Sequence, residues 1–514
     1  MPQSAPCGSA FGDRSPSFLI QIWQARRAMR SRAIAIPILL WASACATTPV
    51  KVETRVPTLA GPISDLARNV AGAARPSEKD AYREGAWDPA YFDRLLPSDA
   101  LEISGFPIRH RREGVGVPMV GVRETLADDP FYYPPEGIIR PLTATVVHAA
   151  DGGASVRLLD SSRESVVRID EALQPLAADF TAAYAVLLSR TRLERTALTG
   201  AFDHEKIGAH AGIFLLEPYD ADRIPLLLVH GLISSPLTWM ELTNELFGDA
   251  AIRARYQIWH AVYPTGIPFL HAAADFRAQL GRLRRALDPE DDDFATNHIV
   301  VVAHSKGGLL TKTLVSASGD QLWYSAFTVP PQDLEASPED LLAMREFLFF
   351  DRNAAVRRVV FIATPHRGSR LADNPLARFV ASWISLPRSE SETFERVLRA
   401  NEAYLAPDFR FRLAGLPSGP RALSTRDPLI RALGELPVDP AVPFHTILGE
   451  LEPGTQSDGV VGHASSRQAG AASELVVAGE GHGVHRSPIA IEEVMRILLE
   501  HAESYSAWFS RGIP

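Results

Sequence analysis

The sequence predicts an α/β fold: a mostly parallel sheet with helices on both faces, bearing cap insertions and preceded by a small β-rich region. Three observations predict it. Apolar runs of strand length recur at Ile224–Val229, Gln257–Tyr263, His298–Ala303, Val356–Ala363, Phe444–Leu448 and Glu474–Ala478, separated by intervals long enough for helices. Strands alternating with helices imply a parallel sheet covered on both sides. One of these runs, within Ile299–Leu310, breaks sharply at His304-Ser305-Lys306 into Gly307-Gly308 and then an apolar stretch of helical character. Finally, a serine, an aspartate and a histidine follow three different runs in the order Ser305, Asp458, His482.

The chain has 514 residues, too many for one ordinary core, so a leader and two domains are expected. A net charge of −9 and the lack of any Lys/Arg stripe argue against a nucleic-acid partner. The two cysteines, Cys7 and Cys45, both precede any segment able to fold, which leaves no disulfide framework and no cysteine metal site. Residues 1–44 read as leader. Residues 1–28 carry no signal of their own, so Met29 is the expected start. It is followed by Arg30, Arg32, an apolar run Ala33–Trp41 too short to span a bilayer, and the small residues Ala42-Ser43-Ala44 before Cys45. This end resembles a bacterial lipoprotein signal, which implies that Cys45 becomes the lipidated first residue of the mature chain. Ala42 stands where that signal usually has leucine, and ordinary cleavage after Ala42-Ser43-Ala44 is the alternative. The same resemblance implies a lipid-anchored protein of the cell envelope, at the outer membrane because Ala46 rather than aspartate follows the cysteine.

Residues 45–80 are small, polar and rich in proline and alanine, as suits a tether. From 81 to 213 short apolar segments, Gly116–Val122, Leu142–His148 and Ser155–Leu159, alternate with Gly, Pro and Asp, and read as strands of a β-rich domain. A helix is expected over Pro175–Arg192, from Leu176, Phe180, Ala183 and Leu187 at helical spacing. The aromatic cluster Phe131-Tyr132-Tyr133 reads as core rather than ligand site, and no catalytic constellation is visible in this half.

The α/β region is 214–514, and its chemistry should lie at the carboxyl ends of its strands. A serine on a tight strand-to-helix turn needs small residues two places before and after it, which Ala303 and Gly307 supply in an A-x-S-x-G pattern. Serine is a poor nucleophile near neutral pH, so a histidine must take its proton and a carboxylate must orient that histidine. The carboxylate is sought after Phe444–Leu448, where Ser457-Asp458-Gly459 offers Asp458 in a tight turn. Glu450 and Glu452 are nearer the strand but sit on a solvated loop. The base is sought in Gly481-His482-Gly483-Val484-His485: His482, flanked by glycines, is preferred, while His485 is expected to fix the start of the helix Pro488–Glu500 and is the alternative. The backbone amides of Leu232, just past the strand ending at Val229-His230-Gly231, and of Lys306, just past the nucleophile, are the expected oxyanion donors.

With AHSKGG, VHGLISSPLTW, FIATPHRGS and SDGVV in place over about Glu217–His501, the sequence resembles the α/β-hydrolase superfamily and its bacterial lipase-like and esterase-like branch. LEPYDADRIPLLLVHGLISSPLTW also resembles envelope lipoproteins that carry such a domain. The resemblance implies hydrolysis of carboxylic esters through an acyl-enzyme, with no metal or cofactor. One departure is Lys306, where methionine or glutamine is usual, which would set an ammonium group beside the nucleophile. His366, in Thr364–Ser369, is assigned to loop shaping. About 150 residues separate Ser305 from Asp458, where two strand–helix units need only about 30 each, so insertions are expected at about 320–350 and 376–436. Their aromatics, Trp323, Tyr324, Phe327, Phe347, Phe349 and Phe350, then Trp383, Phe394, Tyr404 and Phe409, either bind an acyl chain or fill the cap's own core. Two further readings stay open: acyl transfer by the same triad, and an envelope binding protein with a vestigial site.

Overall fold

The computed structural model describes residues 50–54, 76–148, 154–169, 172–191, 211–370, 396–410 and 423–510. The leader, Cys45, Trp383 and Phe394 lie outside the described residues. The larger sheet has seven strands: β1 (Gly212–Leu215), β2 (Ile224–Val229), β3 (Tyr256–Val262), β4 (Ile299–His304), β5 (Val356–Ile362), β6 (Phe444–Glu450) and β7 (Ser473–Ala478), in the spatial order β1-β3-β2-β4-β5-β6-β7. Only β1 runs antiparallel to its neighbour; every other pairing is parallel. The six apolar runs of the sequence are β2 to β7, with ends shifted by one or two residues. The four-residue β1 has too short a run to announce itself.

Both faces of β2 to β6 are buried, which is why these strands read as continuous apolar runs rather than alternating ones. On one face Leu227, Val229, Val301 and Ala303 pack with Phe276 and Leu280 of a long helix and Leu310 and Leu314 of the helix after β4. On the other, Leu226, Leu228, Val300 and Val302 pack with Trp239, Leu242, Val494 and Leu498. The chain leaves β2 to build β3 on one side and returns to build β4 on the other, so strand order reverses at β2. A crevice opens outside the carboxyl ends of adjoining strands at such a reversal, and ligands bind there.

Ahead of this sheet lies a six-stranded antiparallel one, in the order Tyr82–Arg83, Ala86–Trp87, Ala154–Asp160, Ile138–His148, Val117–Arg123, Arg94–Pro97. Its first face buries Trp87, Tyr91, Phe92, Leu142 and Leu158; the other buries Val120, Val122 and Ile139 against Ala182, Ala183 and Val186 of helix α1 (Phe180–Arg190). That helix begins five residues later than its apolar spacing suggests. Ala172–Pro175 and Ala178–Asp179 pair as strands, and Asp179 caps the helix by accepting from the Ala182 amide at 2.9 Å. An N-cap carboxylate satisfies an otherwise unpaired amide and sets the helix start.

The tether reading also needs correction. Lys51–Thr54 pairs antiparallel with Leu101–Ser104, and Glu78–Ala81 forms a helical turn capped by Ser77. Alternating Lys-Val-Glu-Thr offers one apolar side chain to the sheet, and Val52 packs beside α1.

The aromatic cluster joins the two sheets. The Leu215 amide of β1 donates to the Tyr132 carbonyl at 3.0 Å, and Arg140 Nη1 donates to the Leu216 carbonyl at 2.9 Å, on the outer edge of the larger sheet. Tyr132 packs on the core, and Tyr133 hydrogen-bonds Glu78. Among the described residues no helix is long and apolar enough to cross a membrane.

Candidate active site

The register β2–β4–β5 sets Val229 beside Ala303 and Ala303 beside Phe361, so the loops leaving these strands share one end of the sheet. Ser305 sits between β4 and helix α2 (Lys306–Val315) at φ 52°, ψ −123°, a conformation that an ordinary side chain rarely adopts. The strain is held by the Ser305 amide donating to the Ile362 carbonyl at 2.9 Å. Close passage of strand and helix demands Gly307: a Cβ there would stand 2.4 Å from the His230 carbonyl oxygen and 2.6 Å from that of Val229. The hydroxyl is thereby lifted off the end of the sheet.

His482 and Asp458 come to it from the loops after β7 and β6. Ser305 Oγ donates to His482 Nε2 at 2.9 Å, and His482 Nδ1–H donates to Asp458 Oδ2 at 2.7 Å. All three are nearly buried, at 6%, 2% and 4% exposure, so their interactions are little screened by water. The second carboxylate oxygen, Oδ1, accepts from the Val460 and Val461 amides at 2.8 and 2.6 Å, which fixes the carboxylate plane. Nδ1–H bound to the carboxylate leaves Nε2 as the acceptor facing the serine, the tautomer needed to receive a proton. Strand order, elbow and the sequence order Ser, Asp, His agree.

This is the α/β-hydrolase fold. No family model matches the chain, and no curated protein does. Solved structures do. The mature form of a Bacillus licheniformis lipase is 17% identical over 56% of this chain and 97% of its own, with a TM-score of 0.33. A butyrate-bound esterase of Thermogutta terrifontis is 16% identical over 57% of this chain and 87% of its own, TM-score 0.29. Inhibited esterase B of Lactobacillus rhamnosis is 13% identical over 57% of this chain and 81% of its own, TM-score 0.32. At such identities and scores these likenesses carry no conclusion about chemistry, and the α/β-hydrolase fold stands on the topology and the elbow.

His485 is placed otherwise than as base or helix cap. Its Nε2 hydrogen-bonds Thr238 Oγ1 at 2.5 Å, and its ring lies 3.9 Å from that of His304 and edge-on to Trp239. His304 Nε2–H in turn donates to the His482 carbonyl at 2.8 Å, so these rings brace the loop that presents His482. Burial holds both His304 and His485 well below the ordinary imidazole range. Glu450 and Glu452 stay outside the site: Glu450 accepts from the Gln456 amide, and Glu452 is exposed. His366 is buried edge-on to Phe361, within a loop tied to the acid loop by Ser369 Oγ donating to the Val460 carbonyl and Ser465 Oγ to that of Gly368.

Leu232 is buried in the loop after β2, and Lys306 opens α2, where the first amides have no partner within the helix. The Lys306 ammonium does not stand beside the nucleophile. Its stem is wholly buried, and Nζ donates to the carbonyls of Thr265 and Ile267 at 2.7 and 2.6 Å. The insertion aromatics Trp323, Phe327, Phe350 and Phe409 fill one cluster with Leu232, Phe269 and Leu309. Each such burial contributes about 1.5–3 kcal/mol, so they hold the cap onto the elbow. Tyr324 and Tyr404 are exposed.

Sequence reading missed the residues that support the loop after β2. Tyr263 and Thr265 lie in Tyr263-Pro264-Thr265-Gly266, a turn directly after a predicted strand at the catalytic end of the sheet. That position was the available signal.

Proposed function

We propose that this chain is a serine hydrolase that cleaves carboxylic acid esters through an acyl-enzyme. One observation carries the reading: the hydrogen-bonded chain from Ser305 Oγ through His482 to Asp458, at a strained elbow. Ser305 Oγ attacks the acyl carbon as its proton passes to His482 Nε2, and Asp458 stabilises the imidazolium. The carbonyl oxygen, now negative, is received by the amides of Leu232 and Lys306. Collapse expels the alcohol, which takes the proton from His482. Water then attacks the acyl-enzyme, giving its proton to His482, and the acid leaves as Ser305 recovers that proton.

The test is fluorophosphonate labelling of the full mature chain, with turnover of p-nitrophenyl esters of increasing acyl length. Labelling and turnover should both vanish in Ser305→Ala. A folded wild-type chain that neither labels nor turns over ester, with or without detergent, would overturn the reading. Product transfer to an added alcohol in preference to water would reassign it as an acyltransferase. Anchoring in the cell envelope through lipidated Cys45 is the accompanying proposal, supported by the leader sequence. Partition of the cellular protein into detergent should be lost in Cys45→Ala, and unchanged partition would refute it.

A further inference from the structure

Two side chains of the turn after β3 hold the loop after β2, and a third side chain, outside the triad like them, holds that turn. Tyr263 Oη donates to the His230 carbonyl at 2.8 Å, its ring stacked 4.5 Å from the His230 imidazole. Thr265 Oγ1 accepts from the Ile233 amide at 3.3 Å. Ile233 has φ 52°, in the left-handed region, where a β-branched residue costs about 1–3 kcal/mol. It is the residue immediately after Leu232, and its turn determines how the Leu232 peptide faces the elbow. The loop is also pressed against the nucleophile: a Cβ on Gly231 would stand 3.0 Å from Ser305 Cβ.

The third side chain is that of Lys306, which grips the same turn from the opposite direction through the Thr265 and Ile267 carbonyls. A buried lysine is costly unless its N–H groups are satisfied, and burial pulls this one down to about 7. Either protonation state retains at least two N–H donors for the two carbonyls.

We infer that the Lys306 side chain is a positioning residue that ties the two halves of the oxyanion hole together, on the proposed reading of this site as a serine esterase. One residue supplies an amide on the nucleophile side and, through Nζ, the turn from 263 to 267 and Ile233, sets the placement of the Leu232 amide on the other. The circuit runs from Ser305 along the Lys306 side chain to Thr265, across to Ile233, and back through Leu232 to Gly231, which lies against Ser305. Shortening or removing any link loosens the loop that carries the Leu232 amide. The substrate is still bound, but the oxygen that becomes charged is less well received.

The test compares Lys306→Met, Thr265→Val and Thr265→Ser with wild type in the full mature chain. The readouts are kcat and KM on a short p-nitrophenyl ester and inhibition by an alkyl trifluoromethyl ketone, which forms a charged hemiketal on the serine. Lys306→Met should lower kcat about 10- to 100-fold with KM within about twofold, and weaken the ketone by the same factor. Thr265→Val, which removes only a hydroxyl, should show the same split at smaller size, and Thr265→Ser should restore it. A folded Lys306→Met with kcat within twofold of wild type would overturn the inference. If Lys306→Met does not fold, Thr265→Val decides, and an unchanged kcat there overturns it equally. Loss in KM alone, or a ketone affinity that does not follow kcat, would also overturn it. Absent fluorophosphonate labelling of wild-type Ser305 is a separate result, which removes the esterase reading itself.

Discussion

The two sides of Ser305 are held by different means. On the Asp458–His482 side, the carboxylate is fixed by two main-chain amides of its own turn, and the imidazole lies between the carboxylate and the serine. On the Leu232 side, the side chains of Tyr263 and Thr265 do the fixing, Lys306 holds the turn that carries them, and a β-branched residue is kept in a left-handed conformation. Main-chain support survives most substitutions, whereas side-chain support is lost with one. The difference teaches that mutational sensitivity around this serine should be lopsided. The acid–base side should respond chiefly to its two catalytic residues and much less to the His304 and His485 rings that brace it, and the oxyanion side to side chains that never touch substrate.

The sharpest break in that comparison is a pair of histidines three positions apart. His482→Ala should lower kcat by roughly 10^4- to 10^6-fold, while His485→Ala, which removes only a brace, should stay within about tenfold. Steady-state turnover of a short ester measures both, and the reverse ranking would move the base to His485. Next in size is Asp458→Asn. The amide oxygen can still accept from Val460 and Val461, so the turn should persist, but the amide nitrogen faces Nδ1 and selects the wrong tautomer. A loss of about 10^4-fold with an unchanged urea midpoint is expected. A loss of stability with normal turnover would mean that Asp458 is merely structural.

Acid stability extends the comparison to buried histidines outside the triad. Burial lowers His230 and His271 to about 4 and His260 to about 3, and burial with the nearby Arg358 guanidinium lowers His501 to about 3 against the opposing charge of Glu500. Unfolded, each titrates near 6.5, so between that value and the folded ones the unfolded chain binds protons that the native chain refuses. Stability is therefore full above about pH 6.5 and falls as pH drops through about 6.5 to 4, by up to about 1.4 kcal/mol per pH unit for each such histidine. Urea midpoints at pH 7.5, 6.5, 6.0 and 5.5 should decline below pH 6.5, above the range where most carboxylates protonate. A flat profile down to 5.5 would contradict the burial of these rings. The smallest expected effect is Thr238→Val, which leaves His485 Nε2 without its partner and should cost about 1–3 kcal/mol of stability with turnover nearly intact. Calorimetry beside a turnover assay would check it, and a large kcat loss would show that the brace acts on chemistry.

Much of the fold was legible because the larger sheet is covered on both faces, which writes its strands as uninterrupted apolar runs. Strand β1 was not, since Gly212–Leu215 is short and is recruited by pairing with β3. The start of α1 was hidden because helical spacing continues back through residues that Arg111 and Arg112 draw into a strand. In the site, Ser305, Asp458 and His482 could be found because each follows a strand within a glycine-containing turn. The direction of the Lys306 side chain could not be, because a flexible four-carbon stem goes where acceptors are, and these lie 39 and 41 residues away in sequence. For the same reason the aromatics of the insertions kept two readings until their neighbours were known, and the structure sets those it describes mainly in the cap's own core.

The Tyr132 carbonyl and the Arg140 guanidinium lie along the outer edge of β1 and Leu216. An uncovered edge strand is a template for another chain to add to. The amino-terminal half thus serves as a stopper as well as a neighbour. A shortened chain starting at Gly212 would keep every triad residue yet leave the Leu215 amide and the Leu216 carbonyl without these partners and bare the edge of β1. Light scattering should find it self-associating where the longer chain does not, and monodisperse behaviour would show that the edge is blunted without its cover.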